Sequence, residues 1–261
     1  MWTDKQLADY RKKGFFFQSG LLSQKQVEQL QAASEDLVQQ KSTPPEEVEI
    51  VREKSGAVRT VFCMHRQMEP FRGLCRSDEI GGPVKQLLGT DAYIFHCKLN
   101  VKEAFEGTVW LWHQDYGYWQ YDGVLDRLVS AMIIIDEATI HNGCILLVAG
   151  SHKWGVLDHY SDEVTTSYKQ WCIQPDAIKR HLTDEKMIYP VVGKPGDVCF
   201  FDCNIVHGSN HNMSPVPRKT LIYAYNAIDN TPTGVENPRP DYVVSRGFEP
   251  VTAGVRVPAA T

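Results

Sequence analysis

The chain has 261 residues, of which 43% are hydrophobic and 23% charged, and its formal net charge of −5 is spread without a long run of one sign. That composition allows one large domain with a sizeable core and lacks the basic footprint of a nucleic-acid binder. Seven cysteines, an odd number with no C-x-x-C pair, argue against a disulfide framework or a zinc knuckle; with no signal-peptide region at Met1–Gln6 and no membrane-spanning apolar run, the expectation is a reduced, cytoplasmic protein, monomeric or homodimeric, away from membranes.

Residues 3–13 predict a short helix, capped by Thr3 with Gln6 at the reciprocal capping position and stopped by Gly14. Phe15-Phe16-Phe17 reads as a short buried strand. Ser23 caps a second helix, with Val27, Leu30, Ala33 and Leu37 at helical spacing. Pro44-Pro45 marks a loop. Two short strands follow across a turn at Ser55-Gly56. A helix is expected over Ile80–Leu88, beginning near Pro83, because proline is tolerated in a first turn.

From Ala92 the pattern becomes β-rich. Candidate strands are Tyr93–Asn100, Val109–Gln114, Leu128–Ile135, Cys144–Val148, Met187–Val192, Asp197–Phe201 and Leu221–Ala227, separated by glycine, proline and asparagine turns. Residues 158–186 interrupt this pattern with a polar, partly helical stretch suited to a lid. The expected fold is mainly β, a jelly roll (double-stranded β-helix, cupin-like) with flanking N-terminal helices. One domain spans 1–261, with a helical part at about 1–90, a core at about 91–230 and a proline-rich arm, including Pro258, at 231–261.

The organising stretch is Trp110–Trp119, centred on His113-x-Asp115. On a strand, side chains two apart share a face, so this imidazole and carboxylate could reach one metal ion. Such a triplet arises roughly once by chance in a chain of this composition; the joint arrangement carries the weight. His207-Gly208-Ser209 follows the strand at Asp197–Phe201 and its extension through Val206, and Arg218 follows Pro217. Two histidines and one carboxylate form the facial triad of non-haem Fe(II) oxygenases. The planar guanidinium of Arg218 suits a carboxylate, and Ser209 could donate to the same group. Cys199 and Cys203, with Phe200 and Phe201 between them, read as small core residues.

These pieces stand in the order found in the phytanoyl-CoA dioxygenase family of Fe(II)/2-oxoglutarate oxygenases, which includes ectoine hydroxylase-like and aminophosphonate hydroxylase-like enzymes. The chain resembles that family through Tyr10-x-x-x-Gly14-Phe15, Lys98-Leu99-Asn100, Trp112-His113-Gln114-Asp115-Tyr116-x-Tyr118-Trp119, Asn142-Gly143-Cys144 and Gly150-Ser151-His152-Lys153. Gly196-Asp197, His207-Gly208-Ser209, Asn212-x-Ser214, Arg218 and Tyr225-Asn226 complete the set over roughly residues 6–230. One departure is Ala149, where proline often precedes Gly-Ser-His.

The resemblance implies His113, Asp115 and His207 as iron ligands and Arg218 with Ser209 as the 2-oxoglutarate clamp. It places Asn100, Trp119 and His96 in the cosubstrate pocket. It also implies Fe(II), 2-oxoglutarate and O2 as cofactor and cosubstrates, and hydroxylation of an unactivated C–H with release of succinate and CO2. Related halogenases replace the carboxylate with a small residue, so Asp115 favours hydroxylation over halogen transfer. Tyr116, Tyr118 and Tyr121 are expected at the mouth of the site and Arg127 against an anionic group, favouring a small polar substrate such as an amino acid, an aminophosphonate or a natural-product intermediate. Two other readings stay open at this point: a zinc-dependent hydrolase or isomerase using the same three ligands, and a catalytically silent binding protein of the same fold.

Overall fold

A computed structural model describes residues 1–166 and 169–255; Ser167 and Tyr168 of the expected lid and the last six residues of the expected arm, with Pro258, lie outside the described residues. Helix α1 (Asp4–Lys13) carries the predicted Thr3–Gln6 capping box and ends on Gly14, whose φ of 83° needs no Cβ. Strand β1 (Phe15–Gln18) follows, then α2 (Gln24–Gln39) with the same box at Ser23 and Gln26. Strands β2 (Ile50–Arg52) and β3 (Val58–Phe62) form the predicted hairpin. After the single turn α3 (Phe71–Leu74), α4 spans Asp78–Leu88. It starts five residues ahead of Pro83, which therefore sits inside the helix rather than at its start. Asp78 and Glu79 favour the positive helix N-terminus and set the earlier beginning.

The β-rich part comprises β4 (Ala92–Lys102), β5 (Trp110–His113), β6 (Leu128–Ile134) and β7 (Ile145–Val148), with α5 (Asp115–Trp119) between β5 and β6. Next come β8 (His159–Asp162), β9 (Gln170–Ile173), α6 (Pro175–His181), β10 (Ile188–Pro190), β11 (Val198–Asp202), β12 (His207–Ser209) and β13 (Arg218–Ala227). One antiparallel sheet runs β1-β11-β6-β13-β4-β3-β2, a second runs β10-β7-β12-β5, and β8 and β9 form a separate hairpin. The two larger sheets face each other as a jelly roll. The N-terminal part is thus not only helical, since three of its segments extend the first sheet.

Alternation along the strands sorts the core into layers. Leu221, Tyr223 and Tyr225 of β13, with Val198 and Phe200 of β11, point to the helices and pack with Leu30, Leu37, Ile80 and Val84. Cys199 and Phe201 point the other way and pack with Ile145 and Leu147 of the second sheet. Each such fully buried aliphatic or aromatic side chain contributes about 1.5–3 kcal/mol. Tyr223 and Tyr225 donate their hydroxyls to the carbonyls of Phe71 and Cys75, tying α3 to the sheet.

Two differences from the sequence reading bear on the site. The expected extension of β11 through Val206 does not form. The chain turns at Cys203–Val206 and enters the second sheet as β12, a strand made by pairing with β7 on one side and β5 on the other. Gly208 is needed there, because a Cβ would lie 2.8 Å from the carbonyl of Trp110. Residues 158–186 hold the β8–β9 hairpin as well as α6; a mostly polar hairpin shows little hydrophobic alternation to read.

Candidate metal and cosubstrate centre

Strand β5 stops at His113, and Asp115 opens α5, so the two residues do not share one strand as expected. Gln114 between them is still extended (φ −114°, ψ 135°), and the same-face relation survives. Its own side chain turns away and is fully used: the amide donates to the carbonyls of Gly155 and Asn204, and its oxygen accepts from the Leu157 N–H. His207 pairs directly across from His113 in the β12–β5 ladder. The three side chains are buried, and one donor atom from each lies within 4.8 Å of the others.

The tautomers follow from the backbone. The Nδ1 of His113 lies 2.7 Å from the Leu111 carbonyl and that of His207 lies 3.0 Å from the Ile205 carbonyl. A carbonyl only accepts, so each Nδ1 carries the proton and each Nε2 presents a lone pair. His207 Nε2 is 3.9 Å from Asp115 Oδ1. Burial, reinforced for His113 by the neighbouring His207, lowers both imidazoles and keeps them neutral. Burial pushes the Asp115 carboxyl up, but Lys98, His207 and His113 outweigh it and hold the group at about 2. Asp115 Oδ2 has no hydrogen-bond partner among the described residues. Two neutral nitrogens and an ionised carboxylate with an unpartnered oxygen are a donor set that suits a divalent iron.

Strand β4 of the facing sheet brings His96, Lys98 and Asn100 toward these donors. The β13–β4 register slips between Ala224 and Tyr225, which pair with His96 and Ile94. Phe95 is the extra residue, and this bulge turns both Phe95 and His96 away from the helical layer. Two narrow cavities result, and both are lined by Lys98, Trp110 and His113. The first also holds Asn100, His207, Ser209 and Arg218. Arg218 is 2% exposed; its Nη1 donates to Thr220 Oγ1 at 3.0 Å and its Nη2 to the Gly143 carbonyl at 2.6 Å. Burial lowers its pKa to about 10, so it stays cationic at neutral pH. Arg218 Nε and Ser209 Oγ are buried without partners among the described residues, two donors left over for a ligand.

His96 and Trp119 do not join that cavity. They line the second, with Phe62, Tyr118, Asp115 and Arg239. Trp119 packs edge-on to Phe95 at 5.5 Å. Of the residues expected at the mouth, Tyr118 lines the second cavity, and Tyr116 and Tyr121 line neither. Tyr116 turns inward and donates to the Val124 carbonyl, because α5 points it to the side away from Tyr118. Tyr121 is 65% exposed beside Trp171, and Arg127 is paired with Asp229 at 2.8 Å. Lys98 and Arg239 were not singled out as site residues from the sequence. Lys98 sits within a quoted motif, whereas Arg239 lies in a stretch without pattern; its carboxylate partner Asp122, at 2.5 Å, is far away in the chain.

The family model for phytanoyl-CoA dioxygenase (PhyH) matches residues 10–220. The chain belongs to the phytanoyl-CoA dioxygenase family. Among curated members, the ectoine dioxygenase of Bordetella bronchiseptica is 32% identical over 255 residues, covering 92% of this chain and 82% of that protein. That of Sphingopyxis alaskensis is 30% identical over 264 residues, covering 94% and 86%. The crystal structure of EctD from S. alaskensis with 2-oxoglutarate and 5-hydroxyectoine superposes with a TM-score of 0.81 at 30% identity, over 98% of this chain and 90% of that one. The form with bound Fe gives 0.81 at 28% identity, with the same shares covered. This phytanoyl-CoA dioxygenase family member is therefore a cupin-like, 2-oxoglutarate-dependent dioxygenase that uses Fe(II) and O2 on a small molecule, and neither the zinc hydrolase nor the silent binding protein is favoured.

Proposed function

We propose that His113, Asp115 and His207 hold the iron, that Arg218, Ser209 and Asn100 seat 2-oxoglutarate in the first cavity, and that the second cavity takes the molecule to be hydroxylated. The observation that carries this reading is the shared wall: Lys98, Trp110 and His113 border both cavities, so the two ligands meet at the metal donors. Bound Fe(II) with 2-oxoglutarate supplies the activation of O2. The protein's part is to position and to exclude water. The guanidinium of Arg218, anchored by Thr220 and Gly143, fixes the far carboxylate of the cosubstrate, and Ser209 Oγ donates to it. Asp115 and the two imidazoles would hold the metal through a carboxylate oxygen and two Nε2 lone pairs.

The substrate is a small polar metabolite bearing a carboxylate or another acidic group. Aromatic walls from Phe62, Trp110, Tyr118 and Trp119 flank Lys98 and Arg239, the cations of the second cavity. Arg239 is held bidentate by Asp122, through Nε at 2.9 Å and Nη2 at 2.5 Å, which fixes its place in the wall. The relatives are ectoine dioxygenases, so ectoine belongs in a screen beside amino acids and aminophosphonates. The screen reads succinate formed above the level without substrate. The true substrate stimulates succinate release in the wild type, and Arg239→Ala raises its KM about tenfold or more, the cost of losing a charge-assisted contact. An unchanged KM in Arg239→Ala contradicts the substrate assignment.

A further inference from the structure

A cavity of about 500 Å3, much larger than either cavity at the metal donors, lies between residues 65–76 and the C-terminal stretch. Four guanidinium groups border it, those of Arg66, Arg72, Arg76 and Arg246, against two carboxylates, Asp241 and Glu249. Asp241 is already taken. Its carboxylate pairs with Arg246 at 2.7 Å, and its carbonyl accepts from Arg66 at 3.1 Å. Arg76 donates only to the Arg72 carbonyl and Cys75 Sγ, and Arg72 has no ion pair or side-chain hydrogen bond among the described residues. His65, 6% exposed, lines the same cavity, and its Nδ1 has no partner among the described residues. Burial, and then Arg66 and Arg76, push that imidazole down to about 3, so it adds no charge and senses the surplus positive potential around it. Arg66 also pairs with Glu47 at 3.5 Å, which leaves Arg72 and Arg76 without a carboxylate partner among the described residues; guanidinium groups lining one cavity in excess of their carboxylates are suited to an oxyanion carrying more than one charge.

The C-terminal stretch joins this cavity to the metal centre. Asp241, Ser245 and Arg246 line the large cavity, whereas Arg239 and Val243 line the second cavity at the metal donors. The stretch is held to β4 by the Val243 carbonyl, which accepts from His96 Nδ1 at 2.7 Å, and by the Ser245 N–H, which donates to Phe95. We propose that the large cavity binds a small multivalent oxyanion, of phosphate or polycarboxylate chemistry, which bridges Arg72 and Arg76 to Arg246 and clamps the C-terminal stretch over the metal-side cavity. Binding of the anion and of a ligand in that cavity are then coupled, each favouring the other. The anion site itself stands apart from the assignment of Arg218.

The test is calorimetric titration of the full chain with inorganic phosphate, pyrophosphate and citrate, against sodium chloride at matched ionic strength. The expected result is saturable binding of at least one multivalent anion, with the preferred probe naming the ligand chemistry. The Arg72→Gln/Arg76→Gln double variant weakens it about ten- to a hundredfold, the cost of lost charge-assisted contacts. Arg72 and Arg76 are exposed, so their replacement leaves the fold intact, and Arg246→Gln, from the opposite wall, gives a similar loss. Arg218→Met leaves this binding unchanged, which separates the site from the cosubstrate cavity. Tryptic cleavage after the exposed Arg246 slows when the anion is added to the wild type and not when it is added to the double variant. Binding no different from chloride, binding insensitive to the three arginines, or unaltered cleavage overturns the proposal.

Discussion

Gly143 is a residue whose chemistry is set entirely by its backbone. Its φ is 74°, a Cβ there would lie 2.4 Å from the Asn210 carbonyl, and its own carbonyl anchors Arg218. Gly143→Ala is expected to cost about 1–3 kcal/mol of stability in urea unfolding. With Arg218 displaced, it also weakens 2-oxoglutarate binding while leaving Fe(II) affinity intact; equal loss of both ligands contradicts the division of labour proposed for the site. At this scale residue type and order together point to His113, Asp115, His207 and Arg218, which the fold brings to two adjoining cavities. Lys98, Gln114 and Arg239 were not assigned roles because their partners are tertiary: Asp115 Oδ1 at 3.7 Å from Lys98, the Asn204 carbonyl for Gln114, and Asp122 for Arg239. Tyr121 and Arg127 lie near Asp115 in the chain, but neither lines the two cavities at the metal donors.

The β8–β9 hairpin shows how one element positions another. His159 opens β8, and its Nδ1 donates to the Leu157 carbonyl at 2.6 Å. Its Nε2 accepts from the Gln114 N–H at 3.2 Å, between the proposed ligands His113 and Asp115. Gly117 of α5 lies so close that a Cβ would be 2.4 Å from the same nitrogen. The hairpin therefore fixes the strand-to-helix turn that aims Asp115. His159→Phe removes the acceptor and leaves a backbone donor short of its partner, a cost of roughly 1–3 kcal/mol. Fe(II) affinity is expected to fall at least about tenfold, as for other residues that orient ligands, with the circular dichroism spectrum preserved; unaltered affinity would show that the turn holds its shape without the hairpin. The elements with strong periodicity, α1, α2, β4, β6 and β13, were readable from hydrophobic spacing and caps. The hairpin and β12 were not, because a polar ribbon and a three-residue strand owe their form to neighbours rather than to propensity.

Across the whole molecule, the helical layer, the long sheet and the short sheet leave the site between the two sheets, with His113 and His207 on one, Asp115 just past its β5, and Arg218 and β4 on the other. That placement buries several histidines in neutral form. His65 and His96 titrate at about 3 in the folded chain, both chiefly through burial, against about 6.5 when unfolded. The unfolded chain thus binds more protons between those values, and stability present above about pH 6.5 is lost as pH falls toward 3. For chelator-treated protein, urea unfolding should give a lower stability at pH 5 than at pH 7.5, by the order of 1–2 kcal/mol for each such group. His65→Gln should flatten the dependence; a flat profile in the wild type contradicts the burial of neutral imidazoles. The two-sheet arrangement was legible from the many short, turn-separated strands, whereas the reach of the C-terminal stretch to the metal-side cavity was not, for its prolines carry no pattern that names a contact. The most direct measurement on the site is an anaerobic absorbance titration of the metal-free chain with Fe(II) and then 2-oxoglutarate, beside His113→Ala and Arg218→Met. A weak visible charge-transfer band is expected in the wild type, absent in His113→Ala and requiring about ten- to a hundredfold more 2-oxoglutarate in Arg218→Met. A band of the same strength and midpoint in all three proteins would contradict the assignment of the iron and cosubstrate residues.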